Sequence, residues 1–130
     1  MTMGQSIRTC FSKYAIFHGR AVRSEYWWFF LIYICLNHGA TLFDEFIYKI
    51  PGEPILIGGE ALSISSLIVV CGMLLPLLAV GARRLHDTGR SGWWQVLWLT
   101  LIGGLLVSYW MAKAGEEGDN QFGPSPKLGT

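Results

Sequence analysis

Read for apolar and polar positions, the chain falls into three long uncharged runs separated by short charged segments. Tyr26 to Phe43 (YWWFFLIYICLNHGATLF) holds 18 residues without a formal charge, Ala61 to Ala82 (ALSISSLIVVCGMLLPLLAVGA) holds 22, and Trp93 to Ala112 (WWQVLWLTLIGGLLVSYWMA) holds 20. A helix rising ~1.5 Å per residue needs about 20 residues to cross a ~30 Å hydrocarbon layer. The second and third runs reach that length, and the first does so with tilting or snorkelling at its ends. A soluble domain of 130 residues lacks the protein needed to cover three helices that are apolar on every face. The pattern predicts an all-α integral membrane protein, a bundle of three transmembrane helices over about 26–43, 61–82 and 93–112.

Ahead of the first run, residues 6–18 read SIRTCFSKYAIFH. Ile7, Cys10, Phe11, Tyr14 and Ala15 recur at helical spacing on one face, with Arg8, Ser12 and Lys13 elsewhere. This predicts an amphipathic helix in the cytoplasmic membrane interface, with docking against soluble protein as the lesser alternative. Gly19 is expected to end it and turn the chain into the bilayer. The chain thus divides into a cytoplasmic amphipathic segment 1–25, a transmembrane domain 26–112 and a Gly/Pro-rich tail 113–130. The first run starts at Tyr26, ends in Asp44-Glu45 and lacks a small-x-small cleavage pattern, so a retained N-terminus is expected rather than a signal peptide.

Composition agrees: 15% charged and 52% hydrophobic residues are low and high for a soluble domain. The net charge of +1 says little, but its distribution does. Lys and Arg alternate four (Arg8, Lys13, Arg20, Arg23), one (Lys49), three (Arg83, Arg84, Arg90) and two (Lys113, Lys127) across the segments outside the runs. Positive loops stay inside, so residues 1–25 and 83–92 are expected in the cytoplasm, and 44–60 and the tail outside. Cys10, Cys35 and Cys71 are an odd set without C-x-x-C spacing and read as small core residues in a reduced or lipid setting. No metal site and no cofactor are implied, and no P-loop, G-x-S-x-G or H-E-x-x-H is present. The basic residues adjoin tryptophans at a membrane boundary, which makes anionic lipid a nearer partner than nucleic acid.

The stretch ARRLHDTGRSGWW (Ala82 to Trp94) concentrates charge between two apolar runs. Topology and capping explain much of it. Arg83 and Arg84 suit a helix C-terminus, Asp87-Thr88-Gly89 is turn chemistry, Ser91 can cap the next helix, and Trp93 and Trp94 suit headgroup depth. HGRAVRSEYWW (His18 to Trp28) repeats the arrangement before the first run, with Trp27 and Trp28 as its interfacial anchors. Helices starting on the same side would bring Arg20, Arg23, Glu25, Arg83, Arg84, His86, Asp87 and Arg90 into one belt. Glu25 has two readings: a partner for one arginine, or a helix-dipole residue at the first position after a Ser24 cap. Within the runs, Asn37 and His38 lie about 15 Å deep by helical rise and suit an interhelical hydrogen bond, with a transport role as the sharper reading. Pro76 suggests a kink and Gly103-Gly104 a close backbone approach.

Three motifs carry a resemblance over nearly the whole chain. They are Phe17, Gly19, Arg20, Ala21, Arg23, Glu25, Tyr26 and Trp27 near the N-terminus; Arg83, Arg84, Leu85, His86, Asp87, Arg90, Ser91, Trp93 and Trp94 in the middle; and Gly115, Gly118, Asn120, Phe122, Gly123, Pro124 and Pro126 in the tail. On these residues the chain resembles the YhaH/YhaI-like small bacterial inner-membrane proteins, a family known as domain of unknown function eight hundred and five. Gly89 departs from relatives that carry an acid there. The resemblance implies class and location and names no reaction. Three crossings would put Asn120 and Phe122 opposite the arginine belt, whereas one site built from all three motifs requires a re-entrant span or a different count.

The expected function is a non-enzymatic module whose cytoplasmic belt binds anionic lipid headgroups or a protein partner. A homo-oligomer or larger membrane partner would cover surface that three short helices leave bare. The alternatives are a small transporter or channel subunit using Asn37, His38 and the Pro76 kink, and an enzyme acting on a lipid phosphate with His86 or Asp87 as acid–base group.

Overall fold

The computed structural model describes residues 1–47, 55–57, 60–62 and 64–127. Among the described residues, four α-helices carry the fold: α1 (Met3–Ser12), α2 (Arg23–Ile47), α3 (Ile64–Asp87) and α4 (Leu101–Ala112), with a 3₁₀ segment over Gly92–Leu99. The expectation of an all-α chain needs one amendment, because β1 (Ile55–Ile57) pairs antiparallel with β2 (Glu60–Leu62), Leu56 opposite Ala61. β-branched Ile55 and Ile57 favour extended backbone. Ala61 and Leu62, expected in the second span, belong to β2 instead.

The chain forms two compact units, one from Met1–Phe29 with the chain from Leu75 onward, the other from Phe30–Leu74. In the second unit a polar seam joins α2 to α3. The Asp44 carboxylate accepts from Ser65 N (3.0 Å) and Ser65 Oγ (2.5 Å), satisfying a donor in the first turn of α3 from another helix. One turn away the Thr41 and Ser66 hydroxyls bond at 2.8 Å, and both reach the Asn37 carbonyl. Asn37 Oδ1 is buried with no hydrogen-bond partner among the described residues, and His38 is exposed.

In the first unit, α1 begins and ends earlier than the periodicity predicts. Thr2 and Gln5 form a reciprocal capping box at its start, and Lys13 caps its end, well before Gly19. Cys10 and Ser6 form its buried face. The Ser6 hydroxyl donates to the Glu25 carbonyl (2.6 Å), and the Phe11 ring meets Phe29 edge-on at 5.7 Å. The helix therefore docks on its own chain, while Met3 and Phe11 stay exposed.

α2 starts at Arg23, with Glu25 N (3.1 Å) and Tyr26 N (3.4 Å) bonded to the Val22 carbonyl, so Ser24 is not its cap. α3 runs on through Arg83, Arg84, Leu85 and His86 to Asp87, so half of the expected 83–92 loop is helical. It stops where the sequence places turn residues. Arg90 N bonds to the Leu85 carbonyl and Gly89 N to the His86 carbonyl (both 3.0 Å), a Schellman end with Gly89 at φ +73°.

The third apolar run is not one helix, which corrects the expectation of a continuous 93–112 span. Ser91 caps it as expected, accepting from Trp93 N, but the backbone is 3₁₀ as far as Leu99 and becomes α-helical only in α4, the two pieces meeting at extended Thr100. The Thr100 hydroxyl donates to the Leu97 carbonyl and accepts from Gly103 N, both at 3.0 Å, so a local cap makes the break. Gly103 lies so near Leu97 and Thr100 that a side chain there would strike both, and Gly104 lies under the Trp98 ring. The expected close approach is thus within this hairpin. α4, at 12 residues, is ~18 Å long. Among the described residues, α3 is the helix that meets the length and composition for crossing a membrane.

Burial is inverted relative to a water-soluble domain. Arg83, Arg84 and Asp87 are among the largest fully buried side chains, while Leu42, Phe43, Ile68, Leu99, Leu101 and Ile102 are exposed. Cys10 is buried as expected; Cys35 and Cys71, expected as core residues, are exposed. Trp27, Trp28, Trp93 and Trp94 are likewise exposed.

Candidate functional site: a buried arginine cluster closed by the tail

Six of the eight belt residues converge in the first unit where the start of α2 meets the end of α3. Arg20 lies in the extended segment before α2, fixed by an Ala21 N to Arg83 carbonyl bond of 3.0 Å. Its Nε and Nη2 donate to Asp87 Oδ1 at 2.9 and 2.8 Å. Arg84, one helical turn before Asp87, donates through Nη1 to Asp87 Oδ2. A single carboxylate, 2% exposed, therefore holds two guanidinium groups. Next to it Arg83 Nη1 donates to Glu25 Oε1 at 2.5 Å, with both side chains buried. Of the two readings of Glu25, the arginine partner holds; it also lies in the first turn of α2, but not at the first position after a Ser24 cap.

Three buried arginines against two buried carboxylates leave one cation in excess. Burying an unmatched charge is costly unless dipoles replace its water. Main-chain oxygens do so here, mostly from the tail. Arg20 donates to the carbonyls of Gly118 (2.6 Å), Glu116 (2.6 Å) and Gly123 (3.4 Å). Arg84 donates to those of Met111 (3.0 Å), Ala21 (3.4 Å) and Lys113. Arg83 Nε and Nη2, by contrast, are buried with no hydrogen-bond partner among the described residues.

His86 anchors the tail from the other side. Its Nδ1 donates to the Gly19 carbonyl (3.0 Å), and its ring stacks on Phe122 at 4.1 Å with planes 4° apart. Asn120 Nδ2 donates to the His86 carbonyl (2.9 Å) and to Glu116 Oε2 (2.8 Å), while its Oδ1 accepts from Phe122 N (2.9 Å). Glu116 N donates to the Asp87 carbonyl (2.8 Å). All three motifs therefore form one site, and the expectation that Asn120 and Phe122 lie opposite the belt is overturned. Asn120 and Phe122 stood in the tail motif but outside the expected belt, whereas Glu116, which is not a motif position, carried no signal in the sequence.

The remaining belt members face outward. Arg23 is exposed and donates to the Ala112 carbonyl at 3.4 Å. Arg90 is half-buried, with its guanidinium over the Trp110 ring at 4.4 Å, and Trp110 meets Trp94 edge-on. Exposed Lys113 completes this outer set. Asn37 and His38 belong to the other unit and do not join the cluster.

Cys10, on α1, faces Glu25 Oε1 at 4.0 Å. Burial first, and then the Glu25 charge, push its thiol up to about 12.

A family model described as "Protein of unknown function (DUF805)" matches residues 14–124. The inner membrane protein YhaH of Escherichia coli K12 is 42% identical over 121 residues, covering 89% of this chain and 91% of that protein. The inner membrane protein YhaI of the same strain is 36% identical over 119 residues, covering 91% and 92%. The uncharacterized protein YiiR is 31% identical over 105 residues, covering 76% and 64%. No solved structure matches. With its three motifs folded into one tail-closed arginine cluster, the chain belongs to the DUF805 family of bacterial inner membrane proteins.

Proposed function

We propose that the protein is a non-enzymatic inner-membrane module that engages anionic lipid headgroups on the side where its arginines gather. The observation carrying this reading is the division of the belt. Arg20 and Arg84 are buried and supplied with internal acceptors, whereas Arg23 and Lys113 are exposed and Arg90 is half-buried against the Trp110 ring. The inner set holds the architecture and the outer set meets the lipid. Arg90 stacked on Trp110, close to Trp94, is a cation held at aromatic-belt height, where a lipid phosphate sits.

The excess of Lys and Arg in residues 1–25 and 83–92 assigns this side to the cytoplasm. The tail's bonds to Arg20 support putting the C-terminal segment on the same side, and in this reading α2 joins α3 as a second crossing. The relatives' names give a membrane location and no reaction. Both oxygens of Asp87 are engaged by arginines, which leaves it poorly placed for the acid–base role of a phosphate-processing enzyme.

The test compares wild type with Arg23→Gln/Arg90→Gln/Lys113→Gln in nanodiscs of mixed phosphatidylglycerol and phosphatidylcholine. An exposed cation contributes about 1 kcal/mol near an anionic surface, roughly fivefold in partition. The triple variant should lose its phosphatidylglycerol enrichment and the salt sensitivity of that enrichment while keeping its thermal stability. Equal enrichment in the two proteins would refute the proposal.

A further inference from the structure

Among the described residues, the hairpin made by the 3₁₀ segment and α4 carries the most exposed large apolar side chains. Leu99, Leu101 and Ile102 at its tip are 86%, 84% and 82% exposed, and no residue from Gly92 to Ala112 carries a formal charge. Its two ends differ sharply from its tip. At one end Gly92 lies against Ala82 of α3 so closely that a side chain would collide with it. At the other, the Met111 and Lys113 carbonyls accept from Arg84. Both ends are thus tied to the last turns of α3, and Trp93, Trp94, Trp110 and Arg90 surround them.

We infer that this hairpin is a re-entrant wedge whose occupant is the acyl-chain layer of one leaflet. Its limbs have the right reach: 12 residues of α-helix span ~18 Å and eight of 3₁₀ span ~16 Å, about half of a ~30 Å hydrocarbon core. Backbone placed in lipid must satisfy itself. At the tip Thr100 N (3.0 Å) bonds to the Leu97 carbonyl, Gly104 N (2.8 Å) to the Thr100 carbonyl, and the Thr100 hydroxyl to Leu97 and Gly103. Tryptophans and cations at the base with bare leucine and isoleucine at the tip reproduce the polarity gradient from headgroup to midplane. A second copy of this chain fits less well, because nothing at the tip offers it a polar contact to fix its register.

The wedge presupposes the membrane placement proposed above but not the headgroup selectivity, so its test uses neutral phosphatidylcholine vesicles only. In a chain with Cys10→Ala, Cys35→Ala and Cys71→Ala, single cysteines are placed at the exposed positions His18, Glu117 and Leu101. An impermeant maleimide should reach His18→Cys and Glu117→Cys from the same face of oriented vesicles. A nitroxide at Leu101→Cys should collide with oxygen at least tenfold more often than with a water-soluble nickel chelate, without dipolar broadening. Labelling of the two ends from opposite faces overturns the wedge in favour of a through-going span. Same-face labelling with a broadened nitroxide overturns the lipid as occupant in favour of a second copy. Failure of the lipid-selectivity test with these results intact would remove the headgroup reading and leave the wedge standing.

Discussion

Arg20 and Asp87, 67 positions apart in sequence, meet through two contacts of 2.9 and 2.8 Å to one carboxylate oxygen, with both side chains almost wholly buried. The other oxygen of Asp87 is taken by Arg84. The carboxylate is therefore the electrostatic centre of the cluster, and the tail carbonyls that share Arg20 and Arg84 complete what it begins. In a chain whose outside is apolar, such a polar core sets which segments meet, since an unmatched guanidinium has nowhere else to find an acceptor.

Asp87→Asn is expected to be among the most damaging single substitutions in the chain. It preserves shape but leaves Arg20 and Arg84 as buried cations facing a neutral amide that also brings a competing donor. Removing one partner of a buried pair costs about 3–5 kcal/mol. Thermal unfolding of detergent-solubilised protein should show a large loss, accompanied by faster trypsin cleavage at exposed Lys113. An Asp87→Asn protein as stable as wild type would mean that the cluster does not hold the fold.

The Glu25–Arg83 pair should behave differently. Two of Arg83's nitrogens lack acceptors among the described residues, so its burial is incompletely compensated. Glu25→Gln or Arg83→Met alone should destabilise by about 3–5 kcal/mol, whereas the double variant should regain more than half of the loss, because an apolar replacement leaves no stranded charge. Additive losses in this cycle would show that the two residues act separately.

The sequence made the belt legible for a simple reason: charges set among apolar residues must pair, and acids add nothing to orientation, so Glu25 and Asp87 stood out as partners. The turn at Asp87-Thr88-Gly89 was legible too, and Gly89 takes φ +73° there, but the helix was expected to stop about five residues earlier, because Arg83 and Arg84 read as a charged loop when their partners are distant in sequence. The third run misled because an uncharged stretch of 20 residues has the same composition whether it crosses the membrane or folds back. Thr100 and Gly103 carry the local cap that breaks it, yet Thr and Gly are also ordinary residues of membrane helices. The tail's place against Arg20 depends on contacts about 100 positions apart, which no local pattern encodes.

Cys10 reports on the docking of α1. With its thiol pushed from 9.0 to about 12, the reactive thiolate at pH 8 is roughly a thousandfold scarcer than for an ordinary cysteine. In a Cys35→Ala/Cys71→Ala chain, a water-soluble maleimide should react only as the protein unfolds. Because the folded value is raised, the contribution to stability is complete below about 9 and is lost as pH climbs towards about 12. Cys10→Ala should lack this alkaline component. Fast labelling of the native protein at pH 8 would show α1 undocked.

Gly115 tests whether the tail needs its close approach to the cluster. A side chain at this position would fall on the Asp87 carboxylate, and Gly115 has no positive φ to confuse the result with backbone strain. Gly115→Ala should therefore push the tail away from Asp87, weakening the Glu116 N bond to the Asp87 carbonyl and the Arg20 bonds to Glu116 and Gly118. The two carboxylate–arginine pairings of Asp87 remain, so the loss of global stability should be smaller than for Asp87→Asn. Local opening should rise, with trypsin cleavage at Lys113 accelerating about tenfold, which corresponds to ~1.4 kcal/mol. Gly39→Ala is the control, since a side chain there meets open space on a helix and should be neutral or slightly stabilising. Were Gly115→Ala to leave the cleavage rate unchanged, the tail would be held by the His86–Phe122 stack and Asn120 alone, and its carbonyls would not be the acceptors that balance the buried arginines.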